Sequence, residues 1–194
     1  MGRFIVLYGS NNLGKSKQLE LLEQTYIEAG TSYARIKYPI YDSPTGEIIN
    51  RVLRPDENGN RLEMSDVDLQ CLYAENRREF ESTLTEMLSF GDVIAEDYVG
   101  TGLAWGLTKG VDRELLDEFN RGLLKPDFEI LLDGERFGGG CLEKGHRHEA
   151  AGQEVWERSR EVHLSLAREM GWGVVNANES IEAVHVNIMG IISA

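Results

Sequence analysis

With 194 residues, 41% hydrophobic and 27% charged, the chain has the length and composition of one soluble globular domain able to bury a continuous core. A net charge of −13 argues against general affinity for nucleic acid or anionic membrane, and no apolar run approaches the ~20 residues of a membrane span. Two cysteines, Cys71 and Cys141, imply no disulfide framework, and no signal-peptide pattern precedes the first strand, so a cytoplasmic location is expected.

The first predicted element, an apolar strand over Phe4–Tyr8, runs into Gly9-Ser-Asn-Asn-Leu-Gly14-Lys15-Ser16, and a helix follows to Ala29. The order carries a chemical meaning. Gly9 and Gly14 allow a tight turn whose N–H groups point inward at a phosphate. Lys15 is long enough to reach β- and γ-phosphates, the Ser16 hydroxyl can ligate Mg²⁺, and the helix N-terminus adds partial positive charge. An ordinary glycine turn is the alternative, and the strand before and helix after weigh against it. Phosphate binding is therefore expected along Gly9, Asn11, Asn12, Leu13, Gly14, Lys15, Ser16 and Lys17. An acidic protein that binds anions must concentrate its few cations locally, which makes each Lys or Arg near a strand end informative.

Helix Lys15–Ala29 carries Leu19, Leu22 and Tyr26 on one stripe and stops at Gly30. Strand Tyr33–Lys37 follows, then a helix over Pro44–Leu53 and a polar loop, 55–60. Ser65 reads as the N-cap of a long helix with Asp66 and Asp68 in its first turn, ended by Gly91. Further strands are expected at Val93–Glu96, Phe128–Asp133 and Gly173–Asn176, and helices at Asp112–Leu124, Gln153–Met170 and Glu179–Ile192, the last capped by Asn178. Between Asp133 and Gln153 lies a Gly-rich, charged stretch, and a connection of that length is usually functional. Alternating strands and helices predict a parallel sheet covered on both faces, with ligands at the carboxyl ends of its strands. The polar groups obey that rule: the phosphate loop, Lys37-Tyr38-Pro39, Glu96-Asp97-Tyr98 and Asp133-Gly134 each end a strand.

The series of phosphate loop, Lys-Tyr-Pro, Leu72-Tyr-Ala-Glu-Asn-Arg77, Glu-Asp-Tyr, Leu123-Leu-Lys-Pro-Asp127 and Leu132-Asp-Gly-Glu135 resembles the thymidylate kinases, P-loop nucleoside monophosphate kinases, from about Phe4 to Ile188. The resemblance implies an α/β fold of three layers with a five-stranded parallel sheet, in a single kinase domain over 1–194 with a lid at about 134–152. It also implies transfer of the γ-phosphoryl of ATP, with Mg²⁺, to dTMP. Lys37 then meets the acceptor's phosphate, Tyr38 and Tyr98 line its pocket with Thr101, Tyr73 stacks on the base and Arg77 reads its edge. The i,i+4 spacing of Tyr73 and Arg77 puts both on one helix face, although a core tyrosine and a solvated arginine fit that spacing too. Family members commonly form homodimers, and the resemblance leaves that state open.

Three departures from the family pattern stand out. The usual Asp-Arg-Tyr is Glu96-Asp97-Tyr98, Asn11 replaces a carboxylate that meets the sugar, and Asn12 stands where some members carry an arginine. Glu96 keeps a carboxylate near the metal, with Ser16, while Asp97 replaces a cation with an anion; it serves magnesium, is offset by another cation, weakens catalysis, or only caps a turn. Arg147, then Arg136 and Lys144, are the lid cations expected to restore the charge. Cys141, His146 and His148 invite a zinc reading, but Cys-x₄-His-x-His without a fourth ligand is a poor pattern. The segment 176–181 resembles the loop beside the ATP adenine. Two rivals stay open: a kinase of another nucleotide or nucleoside, and a nucleotide-binding protein with weak or no turnover.

Overall fold

The structure, a computed structural model, describes residues 1–137, 146–147 and 152–193. Five strands form one wholly parallel sheet in the order β2-β3-β1-β4-β5: β1 Phe4–Tyr8, β2 Tyr33–Lys37, β3 Asp92–Glu96, β4 Phe128–Asp133 and β5 Gly173–Asn176. The three central strands are apolar without alternation because both faces are covered. Phe4, Val6 and Tyr8 enter one core, together with Leu84, Leu88, Leu103, Leu116 and Leu166 from helices. Ile5 and Leu7 enter the opposite core with Leu19, Leu22, Val184 and Ile188. Side chains two apart share a face, so one strand serves both layers.

Seven helices accompany the sheet among the described residues: α1 Lys15–Glu28, α2 Pro44–Leu53, α3 Asp66–Phe90, α4 Val99–Thr108, α5 Arg113–Phe119, α6 Gln153–Met170 and α7 Ile181–Ile192. Their starts follow capping chemistry. Ser43 and Ser65 accept the N–H groups of Gly46 (3.1 Å) and Asp68 (3.0 Å), and Asp112 accepts that of Leu115. Pro44 sits at the first position of α2, where its missing N–H costs nothing.

Three expectations about helices need correction. Helix α4 was not expected at all, and α5 ends at Phe119. Helix α7 is capped by Ser180, whose hydroxyl accepts from Ala183 N–H at 3.2 Å. Asn178 is occupied elsewhere, its amide donating to the Glu135 carbonyl at 2.9 Å and so tying the chain after β4 to the one after β5.

At the amino end of the sheet Asp92 gathers Arg3 Nε (2.9 Å), Arg3 Nη2 (2.7 Å), Arg3 N (2.7 Å) and the Tyr26 hydroxyl (2.7 Å). Burial acts to raise the Asp92 pKa, but the hydrogen bonds from Arg3 and Tyr26 outweigh it and hold it below the usual carboxylate range. This network locks β1, β3 and α1 at the end remote from the phosphate loop. Register fixes the other end. Lys37 stands beside Glu96 on β2–β3, and Leu7 opposite Glu96 on β1–β3.

Candidate active site

The phosphate loop leaves β1 through backbone that glycine favours: Gly9 has φ 146° and Gly14 φ 81°. A Cβ at Gly9 would lie 2.6 Å from the Leu132 carbonyl oxygen, so the loop can pass β4 only without a side chain there. Asn12, at φ 64°, is one of the few residue types that tolerate this conformation. Lys15 is buried and donates to the carbonyls of Gly9 (2.7 Å) and Ser10 (3.2 Å). The Trp156 indole N–H donates to the Asn11 carbonyl (3.2 Å), and the Phe137 N–H donates to the Asn12 carbonyl (3.3 Å).

At the end of β3 two successive carboxylates divide the cations between them. Glu96 accepts Ser16 Oγ and Lys37 Nζ, each at 2.8 Å. Burial pushes its pKa up, but the Lys15 and Lys37 charges and these hydrogen bonds outweigh it, and Glu96 stays below its ordinary value. Asp97 accepts the Thr101 hydroxyl at 2.8 Å and sits 3.8 Å from Lys15 Nζ. Burial raises its pKa, with Lys15 opposing and Glu96 adding to the rise. Asp97 adopts φ 64°, so its side chain turns toward Lys15 rather than along the strand direction. Ser16 Oγ and the Glu96 carboxylate are hard oxygen donors brought together, which is the chemistry Mg²⁺ prefers.

A cavity of about 370 Å³ opens from this phosphate end toward α3 and α4. Arg77 lies at its inner end, 5% exposed, with Nη1 donating to Asn120 Oδ1 at 2.8 Å and its guanidinium 5.9 Å from the centre of the Tyr98 ring. A Cβ on Gly102 would stand 2.5 Å from Arg77 Nη2, so glycine there makes the room the guanidinium occupies. Arg77 Nε and the hydroxyls of Tyr38 and Tyr98 are buried and have no hydrogen-bond partner among the described residues. Buried polar atoms of that kind are costly unless something else satisfies them. Tyr73, one helical turn before Arg77, lines the same cavity, as does Trp105 of α4.

The loop after β2 is held over this cavity by Asn76, which is 1% exposed. Its Oδ1 accepts Ile40 N–H (2.8 Å), and its Nδ2 donates to the Ile40 carbonyl (2.9 Å) and to the hydroxyls of Ser43 and Thr45 (both 3.0 Å). Gly46 completes the clamp, since a Cβ there would meet the Ile40 carbonyl oxygen at 1.9 Å.

A sequence profile for thymidylate kinase matches residues 8–188. The chain belongs to the thymidylate kinase family. It is 27% identical over 194 residues to the thymidylate kinase of Dictyostelium discoideum, covering 98% of this chain and 84% of that protein. It is 30% identical over 200 residues to the probable thymidylate kinase of Thermococcus kodakarensis, with 97% and 96% covered. The fold is that of the Candida albicans thymidylate kinase structure, with a TM-score of 0.81 at 22% identity over 99% of this chain and 91% of that one. Membership makes this protein an ATP-dependent nucleoside monophosphate kinase.

Among the residues singled out from sequence, the phosphate loop from Asn11 to Lys17, together with Lys37, Tyr38, Tyr73, Arg77, Glu96, Asp97, Tyr98 and Thr101, lines one cavity. Gly9 contributes through its carbonyl to Lys15. The expected lid cations sit differently. Arg147 does not face the phosphate loop: its Nη2 donates to Asp66 Oδ1 (2.9 Å), its Nη1 to the Met64 carbonyl (3.2 Å), and its backbone N–H to the Leu53 carbonyl (2.9 Å). A carboxylate and a free carbonyl at the start of α3 offer the guanidinium more than open solvent would. Arg136 lies 5.9 Å over the Trp156 ring and does not line the cavity. Lys144, Cys141, His148 and most of the proposed lid lie outside the described residues, while His146 lines the cavity on the side of α2. Two cavity residues went unnoticed as site residues in the sequence: Asn76, though it stands inside the Leu72–Arg77 motif, and Arg54, for which no local signal exists.

Proposed function

We propose that this protein transfers the γ-phosphoryl of ATP to dTMP, giving dTDP and ADP. One observation carries the choice of acceptor: Tyr73 and Arg77, a turn apart on α3, stand at the inner end of a cavity whose other end is the phosphate loop. A planar base stacked on Tyr73 puts its polar edge toward Arg77 Nε and the Tyr38 and Tyr98 hydroxyls, which need partners. The 5′-phosphate of such a base points back toward Lys15.

Phosphoryl transfer requires positioning and charge neutralisation more than covalent chemistry. The loop N–H groups and Lys15 hold the donor's phosphates. Lys15 leaves the Gly9 and Ser10 carbonyls to do so, a modest exchange because a phosphate offers it a full charge. Ser16 and Glu96 are the residues that hold Mg²⁺, which when bound neutralises phosphate oxygens of the donor. Lys37, paired with Glu96, keeps that carboxylate ionised and oriented. Tyr73, Trp105 and Tyr98 exclude water from the acceptor, which limits ATP hydrolysis.

ADP release measured across a panel of nucleoside monophosphates tests the reading. dTMP should outrun dCMP and dGMP, and Arg77→Ala should lower kcat/KM for dTMP at least tenfold, since a buried hydrogen bond to a charged group is worth roughly 1.5–3 kcal/mol. A wild type that phosphorylates dCMP equally well, or an unaffected Arg77→Ala, moves the acceptor away from thymidylate.

A further inference from the structure

The resemblance gave the acceptor's phosphate to Lys37, yet Lys37 Nζ is committed to Glu96 at 2.8 Å. Arg77 is committed to the inner end by Asn120 and by the space at Gly102. Lys15 belongs to the donor's loop, and Lys17 donates to Glu20 at 3.0 Å on the exposed side of α1. The remaining cation lining the cavity among the described residues is Arg54. We infer that Arg54 binds the 5′-phosphate of the acceptor nucleotide.

The side chain is built for such a task. Arg54 is the residue that ends α2, and its N–H closes the helix on the Asn50 carbonyl at 2.9 Å. Its Nη1 donates to Asn50 Oδ1 at 2.8 Å, and its Cζ lies 4.8 Å from the centre of the Tyr41 ring. A guanidinium laid over an aromatic ring has its faces occupied and its in-plane N–H fork directed outward, the geometry that suits two oxygens of one phosphate. Tyr41 is fixed in turn, because it follows Ile40, whose N–H and carbonyl both bond to Asn76. The stack therefore hangs from the same α3 helix that carries Tyr73 and Arg77. A base at one end of the cavity and a phosphate at the other are both referenced to α3, so the acceptor is positioned by one rigid element.

This inference rests on the reading of the protein as a thymidylate kinase, and a comparison of dTMP with thymidine separates the two. Both ligands are titrated calorimetrically into wild type, Arg54→Ala, Arg54→Lys and Tyr41→Leu, with dTMP turnover followed in parallel. Arg54→Ala should weaken dTMP roughly ten- to hundredfold, the range for losing charge-assisted hydrogen bonds, and alter thymidine less than twofold. Arg54→Lys, which keeps charge and loses the fork, should fall between, as should Tyr41→Leu, which removes the ring beneath. The KM for ATP should hold. Equal losses for dTMP and thymidine would make Arg54 a prop for the pocket and overturn the inference, as would dTMP affinity within twofold of wild type. A wild type that turns over dTMP while Arg54→Ala is indifferent overturns Arg54 alone; a wild type without dTMP turnover overturns the thymidylate reading and Arg54's role with it.

Discussion

Asp97→Asn changes one charge and almost nothing else. Asparagine shares with aspartate a tolerance for φ near 64°, and its amide oxygen can still accept from Thr101. What is lost is a negative charge 3.8 Å from Lys15 Nζ. At ~4 Å and an effective dielectric of ~20, unit charges interact by about 4 kcal/mol; partial solvent contact reduces that to roughly 1–2 kcal/mol, or about five- to thirtyfold in a binding constant. In the nucleotide-free protein Asp97 competes with phosphate for Lys15. The variant should therefore bind ADP about tenfold more tightly in the presence of EDTA, read by calorimetry. With Mg²⁺ the gain should shrink or reverse, because the carboxylate then adds an oxygen donor beside Glu96 and Ser16. Unchanged ADP affinity in EDTA would refute the competition, and an identical gain with and without Mg²⁺ would remove any part for Asp97 in holding the metal. Asp97→Arg, although it restores the family residue, should lose activity. It places a long side chain in left-handed backbone, costing about 1 kcal/mol, and sets a second cation against Lys15.

Asn76→Ala should lower stability by about 2–4 kcal/mol in chemical denaturation, because it strands the Ile40 N–H and carbonyl together, and should raise the KM for the acceptor more than that for ATP. An ATP-selective effect would contradict the placement of the 40–45 loop over the acceptor. His163, 1% exposed, is held by burial at a pKa of about 4, below its ordinary 6.5. The unfolded chain therefore takes up a proton as pH falls through 6.5 while the folded one does not until about 4. Its contribution is full above 6.5 and declines to pH 4 by on the order of 3 kcal/mol, and His163→Met should lose that part of the slope in a pH series of denaturation curves.

How much of this was legible depends on the range of the forces involved. The strands were readable because central parallel strands are apolar throughout, and the phosphate loop because its glycines, lysine and serine act within eight residues of chain. Helix α4 was not, because Gly100, Gly102 and Gly106 look like turn residues. Each is a contact instead: added Cβ atoms would collide with Trp172 and Tyr8, with Arg77, and with Leu116. Glycine chosen for close approach and glycine chosen for a turn are the same letter. The cap of α7 failed for a related reason, since Asn178 answers a backbone group 43 residues away. Arg54 had no signal because its meaning depends on Tyr41, thirteen residues earlier and across the mouth of the cavity. Arg147 misled because charge was visible in the sequence and the competing Asp66 was not recognisable as its partner.

The pairing of Lys37 with Glu96 has a consequence for how this enzyme can fail. Strand β2 is at the edge of the sheet and is bonded on one side only, to β3. Side chains along a strand alternate between faces, so sliding β2 by one residue would leave most of its hydrogen bonds intact and send Lys37 to the far side. The fold would survive such a slip at little cost, while Glu96 lost its counter-charge and the Tyr38 ring its place in the pocket. Catalytic competence in this protein is thus a report on strand alignment, and an edge strand of five residues is the part of the machine that has to be kept in step.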